Sequence, residues 1–469
     1  MDDICFAGAR ELARRIRSRE LSAREVMTAH LARINRLNPT LNAIVAKLDD
    51  EACLARADDA DSAIAAGEPV GALHGLPIAF KDLEPAVGFP MTYGSTLFRD
   101  LRPTEDSVIV ERLKRAGAIP IGKTNVPEFG MGSHTYNAVY GTTRNPYDST
   151  KSAGGSSGGA GAALAAGMLP IADGSDFGGS LRNPANFNTV VALRPTVGLV
   201  PTAPTTLPFL GFLVKGPMGR TVDDVALMLG VMAGADTRDP GAYPSQPGMF
   251  DAPLARDFRN VRVAWSPDLG GLPLDRRVRA ILESQRAVFE SLGCRVEAAA
   301  PPLDGMDEVF LTIRRWRSWV TLGPLLAEHS AEMKAEAVEE IEAGAHVTAA
   351  DVGEAMMQHA AILERVRAFE NRYAFTICAV NQVPPFDASV HWPREVDGVT
   401  MEHYIAWMKS AYWISGTFRP AASVPAGFTD DGLPVGVQIV GRYRDDFGVL
   451  QLAHAFEQAT GMGRRRPSL

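Results

Sequence analysis

Short apolar runs of strand length alternate with helical stretches along most of this 469-residue chain, and that alternation is what most limits its fold. Residues 106–117 read as a helix stopped by Gly117, and Ala118-Ile-Pro-Ile121 follows as a strand. Residues 276–292 and 294–298 repeat helix then strand, while 435–440 and 447–460 give strand then helix. The first forty residues read as two helices, the second opened by a capping box between Ser22 and Glu25. The expected fold class is α/β: a large mixed central β-sheet covered by helices on both faces. Residues 303–413 interrupt the pattern, being mostly helical and carrying Trp316, Trp319, Trp392, Trp407 and Trp413. Two compatible readings are open for them, a helical subdomain using tryptophans as core filler and a helical insertion forming a cap near a substrate pocket.

The length exceeds the usual single core, yet large α/β sheets reach this size as one decorated unit. A hydrophobic content of 46% with 22% charged residues is that of a globular chain. The net charge of −8 disfavours nonspecific attraction to nucleic acid or anionic membrane, and Arg464-Arg465-Arg466 reads as a solvated tail. No apolar segment approaches the roughly 20 residues of a membrane span, and the start lacks a basic, then apolar, leader pattern. Cys5, Cys53, Cys294 and Cys378 are scattered, as are nine histidines, so neither a disulfide framework nor a metal site is expected. The thiols fit a cytoplasmic location.

Three segments carry the chemistry. Ser152-Ala-Gly-Gly-Ser-Ser-Gly-Gly-Ala-Gly161 has linker composition, but it runs straight into an apolar helix at 162–167 and a short buried strand at 169–172. Its glycines are better read as letting backbone approach a ligand closely. A second small-residue turn, Asp176-Phe-Gly-Gly-Ser180, either aims several backbone N–H groups into one concavity or is an ordinary turn bearing an exposed serine. In Gly75-Leu-Pro-Ile-Ala-Phe-Lys81-Asp82 a lysine ends an apolar, strand-like run. At the rim of a core it is either half of an ion pair, with Asp82 or another carboxylate, or an amine whose pKa is lowered enough to serve as a base.

Taken together, these segments resemble the amidase signature family. The matching pieces, in the family's order, are residues 75–82, Gly117-Ala-Ile-Pro-Ile-Gly-Lys-Thr-Asn125, Gly154-Gly-Ser-Ser-Gly-Gly159, Asp176-Phe-Gly-Gly-Ser-Leu-Arg182, Gly216-Pro-Met-Gly-Arg-Thr-Val222, Ser423-Val-Pro-Ala-Gly427 and Gly432-Leu-Pro-Val-Gly436. The resemblance implies one domain over residues 1–469, with the helical insertion inside it. It implies Ser180 as nucleophile, Ser156 as bridging serine after a cis peptide bond from Gly155, and Lys81 as base. It implies an oxyanion hole from the backbone N–H groups of Phe177, Gly178, Gly179 and Ser180. Neutral Lys81 would draw a proton from Ser156, and Ser156 from Ser180, which attacks the carbonyl to give an acyl-enzyme hydrolysed by the same relay. No metal or organic cofactor is needed for such a route.

Around this core, Ser157 either adds a hydrogen bond in the site or is structural, and Arg182 either holds a substrate carboxylate or sits in a buried ion pair. The uncharged segment 202–213, with Leu207, Phe209 and Leu210, reads as a loop over an apolar pocket or as an internal core loop. Gly117–Thr124 meets the letter of the P-loop pattern, but a helix precedes it, its variable positions are strand-like and Pro120 lacks an N–H, so nucleotide binding is not expected.

The implied partner is a small-molecule amide or carbamate (urethane), with esters as a neighbouring class; a homodimer is allowed for, and neither nucleic acid nor membrane is expected. The alternative is a glutaminase subunit of an aminoacyl-tRNA amidotransferase. Those subunits usually continue with Asn after the Lys-Asp pair, whereas this chain has Leu83-Glu84-Pro85, and members acting on linear or cyclic synthetic-type amides look closer.

Overall fold

The computed structural model describes residues 2–469. Eight strands build the central mixed sheet, in the order β8-β7-β9-β11-β10-β5-β6-β4. They are β4 (Ile171–Asp176), β5 (Val191–Arg194), β6 (Val214–Gly219), β7 (Arg262–Trp265), β8 (Arg295–Ala298), β9 (Phe375–Ala379), β10 (Ala421–Phe428) and β11 (Pro434–Gly441). Strands β8, β7 and β9 run parallel, and every pairing from β9 through β4 is antiparallel. A smaller sheet places β1 (Ile44–Val45) and β2 (Pro77–Lys81) on either side of β3 (Ile119–Thr124).

Strand periodicity explains why both faces of the central sheet are covered. Successive side chains point to opposite faces. On β10, Ala422, Val424 and Ala426 enter one core, packed with Phe289 and Phe456 from the helices Arg276–Ser291 and Asp446–Thr460. Ala421 on the same strand, with Val440 of β11 and Cys378 of β9, enters a second core on the other face. That second core is filled by the helices Arg182–Asn188, Met306–His329, Ala349–Glu370 and Lys409–Gly416.

The helix ends follow the sequence. Ser22 Oγ accepts from Glu25 N at 3.0 Å, and Glu25 Oε2 accepts from Ser22 N at 2.8 Å, opening the helix Ala23–Leu41. The Gly/Ser-rich segment is no linker: all eight residues of the helix Gly158–Ala165 are buried. Residues 119–124 form β3 inside the small sheet, not a phosphate loop.

The stretch 303–413 is mostly helical, as expected, but a strand interrupts it. The long helices end at Glu370, and the chain then re-enters the central sheet as β9 before the helix Lys409–Gly416, so 303–413 is not one helical run. Trp407 and Trp392 are buried in the second core, whereas Trp319 is exposed.

Candidate active site

Strand β2 is buried along its whole length and delivers Lys81 at its end into the interior. The ammonium does not pair with Asp82, whose carboxylate instead accepts the N–H and hydroxyl of Thr92. Lys81 Nζ lies 2.9 Å from Ser156 Oγ, 3.0 Å from Ser175 Oγ and 3.3 Å from the Ser175 carbonyl. Burial penalises the ammonium, and although Asp173, Glu84 and Asp176 favour it, the lysine's pKa comes down to about 7. Asp173 accepts the Lys81 backbone N–H at 3.1 Å, and burial pushes its own carboxyl up to about 7.

Ser156 follows a cis peptide bond from Gly155. The carbonyl of Gly155 accepts from Ser133 Oγ at 2.6 Å, and Ser133 Oγ in turn accepts from Asn183 Nδ2 at 3.0 Å. Ser157 N donates to the Ser180 carbonyl at 3.1 Å, which ties the two serine-bearing turns together. Ser156 and Ser180 line the same cavity of about 440 Å³, with Leu83, Tyr93, Phe129, Met131 and Phe177 among its apolar walls.

The turn between β4 and the helix Arg182–Asn188 is held from below. Asp176 Oδ1 accepts the Gly179 N–H at 2.8 Å and Oδ2 the Leu181 N–H at 3.2 Å. Burial alone would protonate this carboxyl, but Arg182 and Arg194, each 3.0 Å away, outweigh it and hold it far below the ordinary carboxylate range. Gly179 has φ +127°, a conformation open to glycine, and a Cβ there would lie 2.7 Å from Ala411 Cβ. A Cβ on Gly178 would meet Phe310 at 2.9 Å. Of the four N–H groups expected to face an oxyanion, that of Gly179 is therefore already committed to Asp176. Those of Phe177, Gly178 and Ser180 have no acceptor among the described residues.

The residues expected around the catalytic core fall in different places. Arg182 is fully buried and spends its guanidinium on Asp176, Gln438, Ser415 and the Ala411 carbonyl, so it is an ion-pair residue and is not among those lining the cavity. Ser157 is buried, and its hydroxyl faces the interior beside Gly174 without a partner among the described residues. The 202–213 segment does reach the cavity, but through Thr202, Pro204, Thr205, Thr206 and Leu213. Leu207 and Leu210 line a small adjacent cavity, and Phe209 points outward, 80% exposed. Phe212 is the buried aromatic of the segment, stacked on Phe177 with centroids 5.6 Å apart.

Sequence reasoning missed Ser175 and Asp173. The signal was present: two polar residues two apart in a short buried strand share a face, and here that face meets Lys81. It also missed Arg314, Arg317 and Ser318, which reach the cavity from one face of the helix Met306–His329.

The family model for Amidase matches residues 25–450. An acylamidase of Rhodococcus erythropolis is 35% identical over 466 residues, covering 99% of this chain and 97% of its own. A glutamyl-tRNA(Gln) amidotransferase component of Cupriavidus pinatubonensis is 34% identical over 499 residues, covering 98% of this chain and 97% of its own. Among solved structures, a bacterial aryl acylamidase of the amidase signature enzymes superposes with TM-score 0.91 at 28% identity, over 98% of this chain and 99% of its own. The 6-aminohexanoate cyclic dimer hydrolase does so with TM-score 0.88 at 26% identity, over 99% of each chain.

Proposed function

The chain belongs to the amidase signature family, and from that premise we propose that it cleaves apolar aryl or alkyl amides through Ser180, Ser156 and Lys81. The observation that carries this reading is the 2.9 Å contact between Lys81 Nζ and Ser156 Oγ on the wall of a cavity that Ser180 shares. A free amine near pH 7 takes the Ser156 proton, and Ser156 takes that of Ser180 as it attacks the carbonyl carbon. The C=O electron pair moves onto oxygen, which rests on the N–H groups of Phe177, Gly178 and Ser180. Collapse expels the amine, protonated by Ser156, and water then releases the acid from the Ser180 ester.

The helices of residues 306–370 act as a cap, bringing Arg314, Arg317 and Ser318 over the cavity. Carbamates and esters share the acyl carbon this machinery attacks and belong to the same reading. A panel of anilides, short aliphatic amides, N-aryl carbamates and glutamine tests it. At least one of the first three is expected to turn over, with a loss of at least about a thousandfold in Ser180→Ala. Labelling of Ser180 by a fluorophosphonate is expected as well; turnover that survives without the Ser180 hydroxyl ends the proposal. The glutaminase alternative rests on the amidotransferase relatives. Glutamine hydrolysis appearing only when amidotransferase partner proteins are added would replace the first reading with it.

A further inference from the structure

Among the described residues, three cations and one anion line the cavity: Lys215, Arg314, Arg317 and Glu84. Two of the cations are answered. Lys215 Nζ pairs with Glu84 Oε2 at 2.6 Å. Arg314 pairs with Glu340 at 2.8 Å and donates to the Tyr404 hydroxyl. Arg317 is not answered by any described residue. Its guanidinium lies 5.3 Å from the centroid of the Phe177 ring, and the charged neighbour that acts on it is another cation, Arg314. Burial and that neighbour bring its pKa down to about 10, so it is still charged at neutral pH. A half-buried cation facing a ring and a second cation is poorly compensated by the protein itself.

From this unanswered cation we infer that the substrate carries a carboxylate, which Arg317 receives while its apolar body lies along Phe177, Phe129 and Met131. The inference rests on the amidase reading of the same cavity and adds the substrate's charge to it. A guanidinium presents parallel N–H donors that match a carboxylate. One surplus positive charge balances one carboxylate, whereas a phosphate group carries about −1.5 to −2 and is met by clusters of arginines. Arg317 is thus a specificity-determining residue, touching a part of the substrate away from the scissile bond.

The test separates binding from turnover. In Ser180→Ala protein, dissociation constants are measured for neutral butyranilide, for N-phenylsuccinamate (carboxylate on the acyl side) and for 4-(butyrylamino)benzoate (carboxylate on the amine side). One of the two carboxylates is expected to bind about tenfold or more tighter than butyranilide, the range of a charge-assisted hydrogen bond. Adding Arg317→Gln should abolish the difference, and Arg317→Lys, which keeps a cation above Phe177, should restore part of it. With Ser180 intact, the same ratios are expected in kcat/KM, carried by KM. Equal binding of all three compounds, or a preference that outlives Arg317→Gln, overturns the inference. If the binding pattern holds while the intact enzyme cleaves none of them, carboxylate recognition stands and the amide-cleaving reading falls for these amides.

Discussion

In the proposed mechanism, Lys81 is the residue whose surroundings decide when the site can work. Its amine has to be uncharged to take a proton, and burial sets that changeover at about 7. Activity should therefore be flat above the changeover and fall by about tenfold per pH unit below it, seen as one limb in kcat/KM. Lys81→Arg, charged throughout the accessible range, should lose at least about a thousandfold at every pH. Asp173 sharpens the test. Its anion favours the ammonium, so Asp173→Asn, which keeps an oxygen for the Lys81 N–H, should move the limb to lower pH by about half a unit to one unit. A limb that stays in place would mean that Asp173 is already neutral where Lys81 titrates.

At the scale of elements, the turn from β4 into the helix Arg182–Asn188 is rigid because Asp176 is shared by two backbone N–H groups and two arginines. Asp176→Asn keeps the shape but leaves two buried guanidinium groups without their anion. It should cost about 3–5 kcal/mol in urea unfolding, with a fall in kcat as the turn loosens. Gly159→Ala addresses the start of the helix that follows Ser156 and Ser157: the added methyl would lie 2.3 Å from the Asn125 N and 2.5 Å from the Ala43 carbonyl. Overpacking against backbone of this kind should cost about 1–3 kcal/mol or more, read as a lowered urea midpoint.

Much of this was legible in the chain: the Ser22–Glu25 cap, β2 ending at Lys81, and glycines leading into buried elements are each local signals. What was not legible depended on distant partners. Strand β9, Phe-Thr-Ile-Cys-Ala, is buried on both faces, so it shows no alternation and merged with the helices before it. Arg182 could not be assigned between substrate and ion pair, because Gln438 and Ser415, which occupy it, lie far along the chain. Phe209 illustrates the converse, since an apolar residue in an apolar segment can still face solvent.

Taken as a whole, the molecule folds its last segment into its middle. Strands β10 and β11 sit between β9 and β5, and the helix Asp446–Thr460 covers them with Val449, Leu450, Leu452, Ala453 and Phe456, all buried. Truncation before Asp446 should therefore leave insoluble or unfolded protein, checked by circular dichroism and gel filtration. The guanidinium of Arg182 carries the same dependence into chemistry, because its acceptors Ala411, Ser415 and Gln438 all belong to the final quarter of the sequence. A growing polypeptide leaving the ribosome has both serines in hand long before the groups that lock their frame have been made. On the proposed mechanism, Ser180 should therefore resist a fluorophosphonate on chains halted before these strands are made, and react once they have docked.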